Sequence, residues 1–143
     1  LYHEADVPVR LQLDNTIPLI EADPAQLRQV LHNLISNSVD ATEGDRPQIV
    51  IETKHIGTGT AADGSAVLLR ISDNGVGFSS AILDKAFEPY ITTKETGTGL
   101  GLPMVKKILD EHNASIRLSN KTDPTGCLVM GAQVGIIFKR LGH

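Results

Sequence analysis

The chain holds one cysteine, no tryptophan, and only two tyrosines and three phenylalanines among 143 residues. A lone Cys127 excludes an internal disulfide and fits a reducing compartment. No apolar run approaches the roughly 20 residues that a membrane-spanning helix needs. The opening Leu1-Tyr2-His3-Glu4 lacks a basic region backed by an apolar core, so it does not read as a signal peptide. It also lacks an initiating Met, which points to a piece of a longer protein. Long basic runs are missing too. With a net charge of −4 and 3% aromatics, a nucleic-acid surface of cations and stacking rings is not expected. An anionic ligand would have to be held locally, by backbone amides, a metal or one or two cations.

What is present is globular in composition. Apolar residues make up 41% and charged residues 21%, which suits neither a disordered tail nor a membrane protein. The length suits a single domain, 1–143, with one core. No repeat or low-complexity linker divides it.

Val9 to Leu13 alternates as a strand with one buried face. Asp23-Pro24 opens a helix, Asp as N-cap and Pro at the first helical position, with Gln26 placed for a capping box. Leu27, Val30, Leu31, Leu34, Ser38 and Ala41 keep helical spacing up to a stop at Gly44. Ile49–Lys54 and Val67–Asp73 read as strands joined by a loop rich in Gly, Thr and Ala. A short helix is expected over Ser79–Ala86 and another over Pro103–His112. Strands are expected over Ser115–Ser119 and Cys127–Phe138, the second broken by Gly131 and Gly135. Strands and helices without regular alternation argue for a two-layer α/β sandwich, a mixed sheet covered on one face by helices.

Three constellations can carry chemistry. Asn33, Asn37 and Asp40 share a face of the first long helix, within roughly 60° of one another at about 100° per residue. Asn prefers caps and turns, so two at i and i+4 inside a helix require a reason. They could aim amide oxygens at a cation or at phosphate-bound water; alone, they fit a solvated polar face equally well. Next comes Asp73-Asn74-Gly75-Val76-Gly77-Phe78, straight after a strand. It offers a carboxylate suited to an exocyclic amino group, and glycines that permit close approach. In isolation it reads as an ordinary turn with Asx chemistry. Last, Thr92-Thr93-Lys94-Glu95-Thr96-Gly97-Thr98-Gly99-Leu100-Gly101-Leu102-Pro103 leads into a helix N-terminus, a favourable place for an anion. It matches neither the Walker loop nor the dinucleotide fingerprint.

The order of these signals, with Phe87-Glu88-Pro89-Tyr90 between the second and third, resembles the ATP-binding catalytic domain of sensor histidine kinases. These belong to the superfamily shared with DNA gyrase, Hsp90 and MutL. The likeness covers about Val9 to Phe138, and the wording from Phe87 to Leu102 looks most like kinases of the nitrogen-regulation type. The resemblance implies the Bergerat-type fold, ATP and Mg²⁺ as cofactors, and a role for each matching residue. Asn37 would ligate Mg²⁺, and Asn33 would support the triphosphate or the metal's waters. Asp73 would accept from the adenine amino group, with Gly75 and Gly77 shaping the wall. Phe87 would sit near the hinge of a lid. Thr93, Lys94, Gly97, Thr98, Gly99, Leu100 and Gly101 would lie along that lid, Lys94 reaching phosphate.

ATP-hydrolysing relatives carry a Glu as general base one turn before the metal-binding Asn. Asn33 stands there and cannot take a proton at neutral pH. The implied reaction is therefore transfer of the γ-phosphate to a histidine on a separate dimerisation domain, in two-component signalling, with Asn33 and Lys94 in the catalytic role. A response regulator is the indirect partner, and the fragment alone is expected to be monomeric. Its expected location is the cytoplasm, including the cytoplasmic part of an inner-membrane sensor. A serine kinase of the anti-sigma type and a non-catalytic nucleotide sensor are the alternatives. His3-Glu4 superficially fits a phosphoacceptor but precedes a strand, so it reads as a linker. His32 borders the pocket; His55, His112 and His143 read as surface or helix-edge residues. Asp40 and Ala41 stand where many members have Lys and Tyr, and Asn113-Ala114 where Gly-Gly is common.

Overall fold

The structure is a computed structural model that describes residues 9–16, 20–42, 48–57, 66–85 and 101–139. Five strands, β1 (Val9–Gln12), β2 (Ile49–Ile56), β3 (Ala66–Asp73), β4 (Ser115–Thr122) and β5 (Val129–Lys139), form one sheet in the order β1-β2-β3-β5-β4. β1 and β2 are parallel, and every other neighbouring pair is antiparallel. The helices are α1 (Pro24–Ala41), α2 (Ser80–Lys85) and α3 (Leu102–Glu111).

Alternation along the strands decides which face is covered. Ile49, Val67, Ile71, Val134, Ile136 and Phe138 point to one face and are buried there. Val30, Leu34 and Ile35 of α1 and Leu102, Val105, Ile108 and Leu109 of α3 close over them in one core. The apolar spacing of three and four residues in both helices makes this possible. Burying each such aliphatic side chain contributes about 1.5–3 kcal/mol. The mixed sheet under helices is the architecture expected from the sequence.

Several expectations need correction in detail. The capping box at the start of α1 does not form. Asp23 Oδ1 accepts from the amides of Ala25 (2.9 Å) and Gln26 (3.3 Å), but the amide of Asp23 donates to His112 Nε2 at 3.0 Å. His112 Nδ1 meets the Ile108 carbonyl at 2.8 Å, so the ring must carry its proton on Nδ1 to serve both partners. His112 is thus a bridge between the end of α3 and the start of α1. The helix expected to run to Gly44 ends at Ala41, where Thr42 folds back with its amide and hydroxyl on the Val39 carbonyl. β4 runs to Thr122, three residues beyond the expected end. β5 is one strand through Gly131 and Gly135, not a broken one. Its ladder to β4 is irregular beside Gly131: Lys121 pairs with Gly131 and Thr122 with Val129, so Met130 of β5 is the extra residue of a bulge. No helix among the described residues is long and apolar enough to cross a membrane.

Candidate functional site

α1 organises the site. Asn33 and Asn37 lie one turn apart on it, and Asn37 Nδ2 donates to Asn33 Oδ1 at 3.4 Å. That bond turns the Asn37 oxygen away from its neighbour. Asn33 in turn lies against Gly101, where an added Cβ would collide with its amide nitrogen. Gly101 is the N-cap of α3, with φ 61 and ψ 15, a left-handed conformation that glycine adopts without a Cβ penalty. Among the described residues no side chain caps this helix start. Its first-turn amides and positive dipole end therefore remain for a partner, and Asn33 stands beside them.

The other half of the site is the end of β3. Asp73 is 4% exposed, and its Oδ1 accepts from the amides of Gly75 (2.8 Å) and Ala132 (3.1 Å). A buried carboxylate is tolerable only with such donors. Both bonds use one oxygen, which leaves Oδ2 outside this clamp. Gly75 presses on the last turn of α1, since an added Cβ would lie 2.6 Å from the Ala41 carbonyl oxygen. That carbonyl accepts from the amide of Val76 at 3.3 Å. The Asp73 turn is thereby seated eight residues along α1 from Asn33, about 12 Å at 1.5 Å per residue. Asp40, by contrast, is exposed.

Two supports escaped the sequence reading. Asn120 of β4 braces the turn by accepting from the Phe78 amide at 2.7 Å and donating to the Phe78 carbonyl at 2.9 Å. Gly77 (φ 82) makes room for it, since an added Cβ would lie 2.9 Å from Asn120 Oδ1 and 2.5 Å from Val129. The signal was legible in principle: Asn120 follows Ile116 and Leu118 at the parity that faces the core. Gly131, read as a strand break, is where β5 passes the end of β3. An added Cβ there would collide with the Asp73 carbonyl oxygen. The glycine lets Ala132 come close enough to donate to Asp73.

Of the residues singled out in the sequence, Asn33, Asn37 and Gly101 meet at one point of α1 and Gly75 seats the Asp73 turn at another, while Gly77 lies against Asn120 and Val129. Phe87, Thr93, Lys94, Gly97, Thr98, Gly99 and Leu100 lie outside the described residues. A groove of about 490 Å³ lies on the opposite face of the sheet and shares no residue with this constellation. The α1 side brings together a buried carboxylate, an amide pair and a helix start.

The histidine kinase-, DNA gyrase B-, and HSP90-like ATPase family matches residues 22–139, and the chain belongs to that family. Its likeness within the family is to histidine kinases. It is 33% identical over 134 residues to the sensor histidine kinase ZraS of Escherichia coli, covering 94% of this chain and 27% of that protein. It is 36% identical over 117 residues to the signal transduction histidine-protein kinase AtoS of the same species, covering 82% of this chain and 18% of that one. Among solved structures, the catalytic domain of histidine kinase ThkA in a nucleotide-free form superposes with a TM-score of 0.77 at 28% identity. That match covers 97% of this chain and 82% of the other. The chain spans about a quarter of the length of the curated sensor kinases it matches.

Proposed function

We propose that this domain binds Mg-ATP along α1 and presents the γ-phosphate to a histidine on a dimerisation domain, as the kinase module of a two-component sensor. The observation that carries the reading is the seating of the Asp73 turn and of Gly101 at two points of one helix, about 12 Å apart. The reading is supported by a carboxylate suited to the base at one end and a helix start suited to phosphates at the other. Asp73 Oδ2 accepts from the adenine amino group while Oδ1 stays clamped by Gly75 and Ala132. Gly75, Gly77 and Ala41 form the wall beside the base. The Asn33 amide and the start of α3 face the phosphates.

The donor set fits a hard cation, because amide oxygens suit Mg²⁺ and leave most of its sphere to water and phosphate. Asn37, supported by Asn33, is the residue assigned to it; when bound, the ion neutralises phosphate charge. Phe87, Thr93, Lys94, Gly97, Thr98, Gly99 and Leu100 are assigned to the lid, with Lys94 beside phosphate. Asn33 holds no proton-accepting group at neutral pH, so the site positions phosphate without activating water. This favours transfer to an outside nucleophile over hydrolysis, with positioning and electrostatics supplying the catalysis. A response regulator is the downstream partner, and the domain works in the cytoplasm.

The test is calorimetric titration with a non-hydrolysable ATP analogue, with and without Mg²⁺, on the parent, Asp73→Asn and Asn37→Ala. Asp73→Asn keeps the Oδ1 acceptor for both backbone amides but presents an NH₂ to the adenine amino group. It should weaken binding by about 2 kcal/mol while folding normally. Asn37→Ala should abolish the Mg²⁺ dependence. Unchanged affinity in Asp73→Asn would remove the adenine assignment. Mg²⁺-dependent binding that survives in Asn37→Ala would remove the metal assignment.

A further inference from the structure

The face of the sheet turned away from the core carries, among the described residues, a charge opposite to the net charge of the chain. By strand alternation and register, Arg10, Lys54, Arg70, Arg117, Lys121 and Lys139 lie on it, with Glu52 as the one acid on the described strands and Asp14 beside Glu52 and Lys54 at the β1–β2 edge. Among the described residues six cations thus stand with two acids here, an excess of four positive charges in a chain whose net charge is −4. None of the described helices covers this face, because α1 and α3 pack into the core on the other side.

The charges surround a groove. One register row runs Glu52, Arg70, Gly135, Arg117 across four strands. Arg70 is held by Glu52 at 2.9 Å, the one ion pair on this face among the described residues. Gly135 leaves a gap between the two arginines. An added Cβ there would meet only Leu68, at 3.7 Å. The resulting groove of about 490 Å³ is lined by Leu68 and Ile137 as well as by Arg70, Arg117 and Gln133. Ile137 is 39% exposed.

We infer that this face is a docking surface for an acidic segment of a partner protein, with a carboxylate between Arg70 and Arg117 and an apolar side chain on Leu68 and Ile137. Guanidinium groups bind carboxylates through two parallel hydrogen bonds, which suits a protein carboxylate better than a diffuse anion field. Among the described residues this face has no aromatic side chain for stacking a nucleobase. Cations around an apolar floor complement an acidic peptide in charge, on a chain that is acidic as a whole, so docking is directed to this face. The proposal does not depend on the nucleotide reading, which concerns the opposite face.

The probe is a labelled peptide of about eight residues alternating Glu and Leu, long enough to cross a sheet roughly 20 Å wide. Its binding is followed by fluorescence anisotropy at low and moderate salt. Two variants separate charge from shape. Arg117→Glu reverses one charge, and Gly135→Val fills the gap without touching charge. Each should weaken the peptide about tenfold or more, while circular dichroism and thermal unfolding stay near those of the parent. Added salt should weaken the parent but have little further effect on Arg117→Glu. An all-Glu peptide should bind less tightly than the alternating one. Equal peptide affinity in the parent and Arg117→Glu overturns the proposal. So does preferential binding of phosphatidylserine vesicles or single-stranded RNA over the peptide. So does a dimer by sedimentation that Arg117→Glu dissolves, since the occupant would then be a second copy.

Discussion

Replacing Gly131 by Ala tests the geometry of the Asp73 clamp most directly. The new methyl would collide with the Asp73 carbonyl oxygen, a backbone atom that no rotamer change can move away. The backbone angle at Gly131 (φ 154) adds strain for any residue with a Cβ. Relief requires β5 to separate from the end of β3, which stretches the bond from the Ala132 amide to Asp73 Oδ1. A buried hydrogen bond to a charged group contributes about 1.5–3 kcal/mol. With about 1–2 kcal/mol of backbone strain, the loss should reach roughly 3–5 kcal/mol. That is a large part of the stability of a domain this size, equivalent to a fall in Tm of roughly 10–17 °C. Nucleotide affinity should fall as well, because the carboxylate loses one of its two anchors. Gly135→Ala, four residues along the same strand, is the control. Its Cβ meets only Leu68 at an ordinary 3.7 Å, and its cost should stay within about 1 kcal/mol. Urea unfolding of both variants, at unchanged slope, measures the difference. If Gly131→Ala is as mild as Gly135→Ala, close approach at Gly131 does not hold Asp73.

Asn120→Ala removes both bonds to Phe78 and should cost about 1–2 kcal/mol by urea unfolding. It should also weaken nucleotide binding, with Asn120→Asp intermediate because it keeps only the acceptor. Destabilisation without any change in affinity would show that the clamp supports the fold but not the pocket. His112→Phe deletes the acceptor for the Asp23 amide. Hydrogen exchange should then quicken in the first turn of α1, and unchanged protection there would refute the bridge. Asp14 links β1 to β2: its carboxylate accepts from the Thr16 hydroxyl and amide and from the His55 amide, which together hold its pKa at about 2, below the usual 3.8. A lowered folded value means the stabilisation is complete above about pH 4 and disappears as pH falls toward 2. The urea midpoint should decline over that window in the parent and less steeply in Asp14→Asn; parallel declines would count against it.

The local features of this domain are legible because they depend on near neighbours along the chain. Asp23-Pro24 and the three-and-four spacing of Val30, Leu34 and Ile35 specify α1 and its buried side through capping and helical geometry. The parity of Ile136 and Phe138 specifies which side of β5 enters the core. The Asn pair, the Asp-x-Gly-x-Gly turn and the glycines before α3 are visible as motifs for the same reason. What they do jointly is a matter of distance between residues far apart in sequence. Only the packed structure brings Asn33 to Gly101 and the Asp73 turn to Ala41, because helix-on-sheet packing sets those separations. Gly131 looks like a strand break until β5 lies beside β3, where its missing Cβ becomes the space that Asp73 requires. His112 looks like a helix-edge residue until α3 meets α1. The basic face is invisible in a composition with a net charge of −4, since sequence counts charges while the register of five strands decides where they gather.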